Sequence, residues 1–232
     1  MRGVLRFLDN DSPFGRICGF LGTLIAANLM FVVSLIPVIT AGAGLCGLYY
    51  TMLKLVRYKE VNPFETFWQG FRDNFKRATL TALGIAVLGV ILVLDLRISA
   101  QMPGLLHYYT TVLYGVLIVV AVLAIYLFPV MVAFEGNMRE LLKLSVYFAG
   151  GNLPETLMIA VLYVVPMLLT YSNRAMLPLA AFLWCLCGFA VIAFCSSMIL
   201  MRRFRRHLEP LAHEVQAANE RKILEEMRRL DG

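Results

Sequence analysis

Six long apolar runs, far more than a water-soluble core of this size could hide, constrain this chain more than any other feature. They cover roughly residues 17–36, 41–56, 78–96, 108–134, 154–171 and 175–201. A helix rises about 1.5 Å per residue, so some twenty apolar residues cross about 30 Å of hydrocarbon. The 232 residues are 60% hydrophobic and 16% charged, against about half and a quarter in soluble domains. A bilayer core offers no water to backbone N–H and C=O groups, so spans of this kind are helical. The expectation is an all-α, polytopic membrane protein of about six passes over residues 1–201. A basic, helical cytoplasmic tail over 202–232 follows it.

Charge sets the expected orientation. With the passes drawn as above, 19 of the 21 Lys and Arg residues fall before residue 17, between 54 and 77, at Arg139 and Lys143, or beyond residue 201. Only Arg97 and Arg174 fall on the other side. Basic residues accumulate on the cytoplasmic side of spans, which puts both termini in the cytoplasm. The same distribution argues against nucleic acid as a partner, because the cations flank spans where anionic lipid headgroups lie.

The passes differ in quality. The first opens at Ile17 and ends at Pro37; it is too long for a signal-peptide core, and Asp9 and Asp11 precede it. The second, 41–56, is the thin one. It begins Ala41-Gly42-Ala43-Gly44 and carries Lys54, so a tilted, broken or re-entrant segment is expected, with the small residues allowing close helix approach. Pro166 should kink the fifth pass.

Two connecting segments read as interfacial amphipathic helices on the cytoplasmic side. In 63–77, Phe64, Phe67, Trp68, Phe71 and Phe75 recur at helical spacing among Glu65, Gln69, Arg72, Asp73, Lys76 and Arg77. Such a helix lies in the headgroup region or inserts its aromatic residues into a partner. Segment 135–153 has the same character. Each contains near its end an asparagine, Asn74 and Asn152, that opens an outward span and is read as a helix cap. The order "inward span, interfacial helix, asparagine, outward span" therefore occurs twice in one orientation, as a parallel internal repeat would produce.

Chemistry-bearing patterns are sparse. His107, His207 and His213 show no metal-ligand spacing, and no nucleophile elbow, phosphate loop or paired carboxylates occur. The five cysteines lie in apolar stretches and form no CxxC, so they read as small hydrophobes. No catalytic residue, metal ligand or cofactor is assigned. Asp95 and Arg97 lie at a span end, and no charge is expected at mid-bilayer, where proton coupling would need one. Asn28 is the notable polar residue of the first span and is read as an amide that glues helices together.

Three stretches resemble a bacterial family of membrane proteins of uncharacterised function, the YesL-like family. They are NLMFVVSLIPVITAGAGLCGLYYTMLKLVR (28–57), FWQGFRDNFKRATL (67–80) and GNLPETL (151–157). They mark Asn28, Pro37, Gly42, Gly44, Tyr49, Tyr50, Asn74, Asn152 and Pro154 as structural or helix-packing positions. The resemblance implies a bacterial plasma-membrane protein encoded beside carbohydrate ABC-transporter components. On that basis the expected function is a non-enzymatic accessory protein that packs against permease subunits. Residues 65–70 lack the alanines of the permease Glu-Ala-Ala loop, so the chain does not read as a permease itself. The alternative is a small transporter or channel for a saccharide or ion, and the third reading is a regulatory membrane protein.

Overall fold

The computed structural model describes residues 13–99, 106–172 and 177–206. Its elements are helical throughout: α1 (Pro13–Leu35), α2 (Ala41–Tyr58), α3 (Pro63–Ser99), α4 (Leu106–Ala133), α5 (Met138–Gly150), α6 (Leu153–Ser172) and α7 (Leu177–Arg206). Six of them, all except α5, are long and apolar enough to cross a membrane. The tail beyond residue 206, with His207 and His213, lies outside the described residues.

Short, well-bonded turns join the helices. Pro37 is extended (φ −84°, ψ 96°) and ends the first pass, and a single 3₁₀ turn at Val38–Thr40 follows it. The Thr40 hydroxyl donates to the carbonyls of Ser34 and Pro37, which ties the turn down. At the other end of α2, Lys59 takes a left-handed conformation (φ 65°) and its N–H returns to the Leu55 carbonyl at 2.9 Å. Asn62 then starts α3: its side-chain oxygen accepts from the Phe64 N–H at 3.2 Å, and Pro63 occupies the first turn, where a missing N–H costs nothing. Asn137 starts α5, with the Glu140 carboxylate accepting the Asn137 N–H at 3.0 Å.

The second pass is a complete helix rather than a broken one. It is the least apolar of the six spans because it is also the most enclosed, so it needs little lipid-facing surface. Its glycines bring α3 into backbone contact. A Cβ on Gly42 would sit 2.6 Å from that of Ala82, and one on Gly47 would sit 2.8 Å from the Phe67 carbonyl oxygen. From the α3 side, a Cβ on Gly70 would meet that of Tyr50 at 2.5 Å. Gly44 faces Ser34 and Phe31 of α1. Buried Cys46, Leu48, Met52 and Leu55 of α2 join Phe31, Phe67, Tyr126, Val130 and Phe204 in one core.

The backbone irregularity lies in the sixth pass instead. Residues Trp184–Gly188 form a π-helical turn within α7. Widening one turn by a residue breaks the regular ladder and leaves carbonyls free to bond elsewhere.

Segment 63–77 is helical, as its periodicity predicts, but it is not a separate element. It runs without interruption into the third pass, making α3 a helix of 37 residues. At about 1.5 Å per residue this is some 55 Å, well beyond the hydrocarbon thickness. The reason is local: residues 72–83 (RDNFKRATLTAL) contain no proline or glycine. Asn74 therefore caps nothing, and its side chain donates to the Gly70 carbonyl one turn back at 3.1 Å. The second amphipathic segment does stand apart as α5, because Gly150, Gly151 and Pro154 interrupt the helix there. The first copy of the expected repeat therefore lacks a separate interfacial helix, and the two segments differ at this junction.

Candidate interaction site at the basic end

One end of the bundle gathers most of the described cations. The end of α2 carries Arg57, and Lys59 directly follows it. Arg77 of α3 donates to the Gly136 carbonyl at 3.3 Å, which places the α4–α5 turn beside it. Arg203 of α7 reaches the start of α6 at the same end, through an ion pair with Glu155.

The aromatic residues of α3 divide into two sets. Thr66, Phe67, Gly70 and Ala78 are buried at helical spacing and face α2. Phe67 is 2% exposed, so it is a core residue and is not available to a partner. Phe64, Trp68 and Phe75 are 64%, 50% and 38% exposed, and Phe71 lies half-buried between them. The Trp68 and Phe71 rings stack at 5.2 Å and 3°, and Phe75 follows at 5.4 Å. Arg72 lies 5.7 Å from the Trp68 ring centre. On the neighbouring helix, Lys54 sits 4.3 Å over the Tyr50 ring and donates to Gln69 at 3.3 Å. The result is a preorganised aromatic ridge flanked by cations, with no covering element among the described residues.

The remaining sequence-marked residues are structural in placement. Asn28 is fully buried and bonds to α7: its Nδ2 donates to the Trp184 and Cys185 carbonyls at 3.0 and 2.7 Å, and its Oδ1 accepts the Ala190 N–H at 2.9 Å. The Tyr49 hydroxyl pairs with that of Tyr163 inside the bundle. Asn152 directly precedes α6 and donates to Glu155 at 3.0 Å, and Pro154 occupies the first turn of that helix. Gly42 and Gly44 are consumed in packing within the chain, so they offer no face to another protein.

A polar junction was not legible as a unit. Arg203 pairs with Glu155 and also donates to the Phe148 and Asn152 carbonyls. Beside it the Tyr126 and Thr156 hydroxyls are 2.8 Å apart, and Thr156 donates to the Ala149 carbonyl at 2.8 Å. Four helices, α4 to α7, meet there. Arg203 reads as one of four arginines in Arg202-Arg203-Phe204-Arg205-Arg206, a membrane anchor. The available signal is Phe204, an apolar residue inside that basic run, which is buried against Phe134 and Phe148.

Fold and site together define a multi-pass helical membrane protein with a basic end and an aromatic ridge that no described element covers. Residues 24–96 match the family described as "Protein of unknown function, DUF624". The chain is 27% identical over 178 residues to the "Uncharacterized protein YteU" of Bacillus subtilis (strain 168), covering 71% of this chain and 78% of that one. It is 28% identical over 99 residues to the "Uncharacterized protein YesL" of the same organism, covering 42% of this chain and 46% of that one. The resemblance to the YesL-like family is borne out by these matches. No solved structure matches the chain.

Proposed function

We propose that this chain is a non-enzymatic integral membrane accessory protein of carbohydrate uptake by an ABC-type transporter, with the basic end in the cytoplasm of a bacterial cell. The observation that carries the reading is the ridge of Phe64, Trp68 and Phe75, exposed on a helix whose adjoining face is locked to α2. Exposed aromatic residues ringed by polar ones are characteristic of contact surfaces, and such anchors supply most of the binding energy at interfaces. The direction of the charge asymmetry supports the cytoplasmic side. The link to saccharide uptake comes from the family resemblance.

The glycine-rich face of α2 is already used within the chain, so the contact falls to the ridge and to outward-facing helix surfaces. Co-purification of a tagged full-length chain from native membranes, with saccharide uptake measured in a deletion strain, tests the role. Recovery of permease subunits together with impaired uptake is expected. A chain recovered alone, with normal uptake after deletion, would refute it.

A second reading, a small transporter or channel for a saccharide or ion, is favoured by the paired Tyr49 and Tyr163 hydroxyls within the bundle. Flux across liposomes containing only this chain would support that alternative.

A further inference from the structure

The start of α1 stands away from the turn between α2 and α3, and a cavity of about 840 Å³ separates them. Its two walls differ in chemistry. Arg16, Lys59, Glu60 and Asn62 supply its polar lining, whereas Gly15, Gly19 and Thr23, with Phe20 beside them, line it from α1. Gly15, Gly19 and Thr23 are four apart and share one helix face. A Cβ at Gly19 would meet nothing within 4 Å, and the Thr23 hydroxyl is turned back onto the Gly19 carbonyl at 2.9 Å. The wall is therefore shallow, apolar and open to a guest.

The polar lining carries two cations against one carboxylate. Lys59 is set there by its left-handed backbone at the end of α2, a conformation uncommon for a residue with a side chain. Among the described residues, neither the Arg16 nor the Lys59 side chain has an ion-pair or hydrogen-bond partner. Arg16 directly precedes Ile17, where the apolar run of the first pass begins. The cavity thus straddles the level at which headgroups give way to hydrocarbon, with its cations at one side and its apolar wall running along the span.

We propose that this cavity binds one anionic phospholipid, its phosphate held between Arg16 and Lys59 and one acyl chain laid along the Gly15, Gly19 and Thr23 face. A phosphate monoester in solution shares the headgroup chemistry but has nothing to place on that wall. The site is independent of the ridge on α3, so it stands or falls separately from the partner reading.

Native mass spectrometry of the detergent-solubilised full chain, titrated with phosphatidylglycerol or phosphatidylcholine of identical acyl chains, tests it. One phosphatidylglycerol should be retained about tenfold or more over phosphatidylcholine, as two surface cations warrant. The paired substitutions Arg16→Gln and Lys59→Gln should bring that ratio close to one, while Arg72→Gln with Lys76→Gln should leave it unchanged. Gly19→Phe should lower retention of both lipids with the cations intact. If Gly19→Phe does not fold, the Arg16 and Lys59 variants decide the matter alone. Equal retention of the two lipids by the native chain, or a preference that survives loss of Arg16 and Lys59, would overturn the proposal. Displacement by glycerol 3-phosphate would overturn it too, by making the ligand a soluble phosphate.

Discussion

Asn28 of α1 completes the backbone hydrogen bonding of a widened turn in α7. It donates to the carbonyls of Trp184 and Cys185 and accepts the N–H of Ala190, so one amide bonds three backbone groups in and just after the π turn. Replacing Asn28 by Ala removes all three bonds inside a membrane span. The expected loss is about 2 kcal/mol, since each buried orphan costs roughly 1–3 kcal/mol and membrane proteins recover part of that through new partners. Thermal unfolding in detergent measures it. Asn28→Leu, with the same branching and no amide, should be at least as damaging; if it were neutral, the amide would be only a space filler.

The glycines of α2 and those on uncovered faces should respond differently to the same change. Gly42→Ala and Gly47→Ala each push a methyl group into α3 and should destabilise by about 1–3 kcal/mol. Gly84→Ala, where a Cβ meets nothing within 4 Å, should be neutral or slightly stabilising through helix propensity. Melting temperatures of the three variants provide the comparison.

Phe67 and Trp68 are adjacent in sequence but differ in role. Phe67→Ala removes a core ring and should cost about 3–5 kcal/mol. Trp68→Ala should leave stability within roughly 0.5 kcal/mol, as changes at exposed positions usually do, and instead weaken recovery of any partner. A melting curve and a pull-down on each variant separate the two effects.

Arg203 and Glu155 should be coupled. Removing either partner leaves the other's charge at the meeting point of four helices, and about 1–3 kcal/mol is expected because Glu155 is one-third exposed. The double variant Arg203→Gln with Glu155→Gln should lose less than the sum of the single losses. Strict additivity in that cycle would show that the two side chains act independently.

Much of the architecture is readable from residue order alone, and the exceptions have physical causes. Apolar run length locates all six spans, because hydrocarbon thickness permits few alternatives. The thinness of 41–56 is readable as well, but its cause is not: a helix enclosed by protein and one that fails to span both show low apolar content. The continuity of α3 is written in the lack of any breaker in 72–83, but the change from an amphipathic to an apolar pattern near residue 77 looks the same for one helix as for two. Trp184–Gly188 carries no proline or other mark of a π turn. The turn depends on Asn28, 156 residues away from Trp184, and no local pattern encodes that. At the site, helical spacing identifies five aromatic residues on α3, yet which of them face α2 depends on where Gly47 lies.

Photo-crosslinking from the ridge shows whether it touches a transporter subunit. A photoreactive phenylalanine analogue placed at Trp68 in the full-length chain, irradiated in native membranes during growth on saccharides, should yield a discrete adduct with a transporter permease subunit. The same probe at Leu88, an exposed position farther along α3, should yield only lipid adducts. Lipid adducts alone at both positions would contradict the account and leave the ridge as a surface that meets only the membrane.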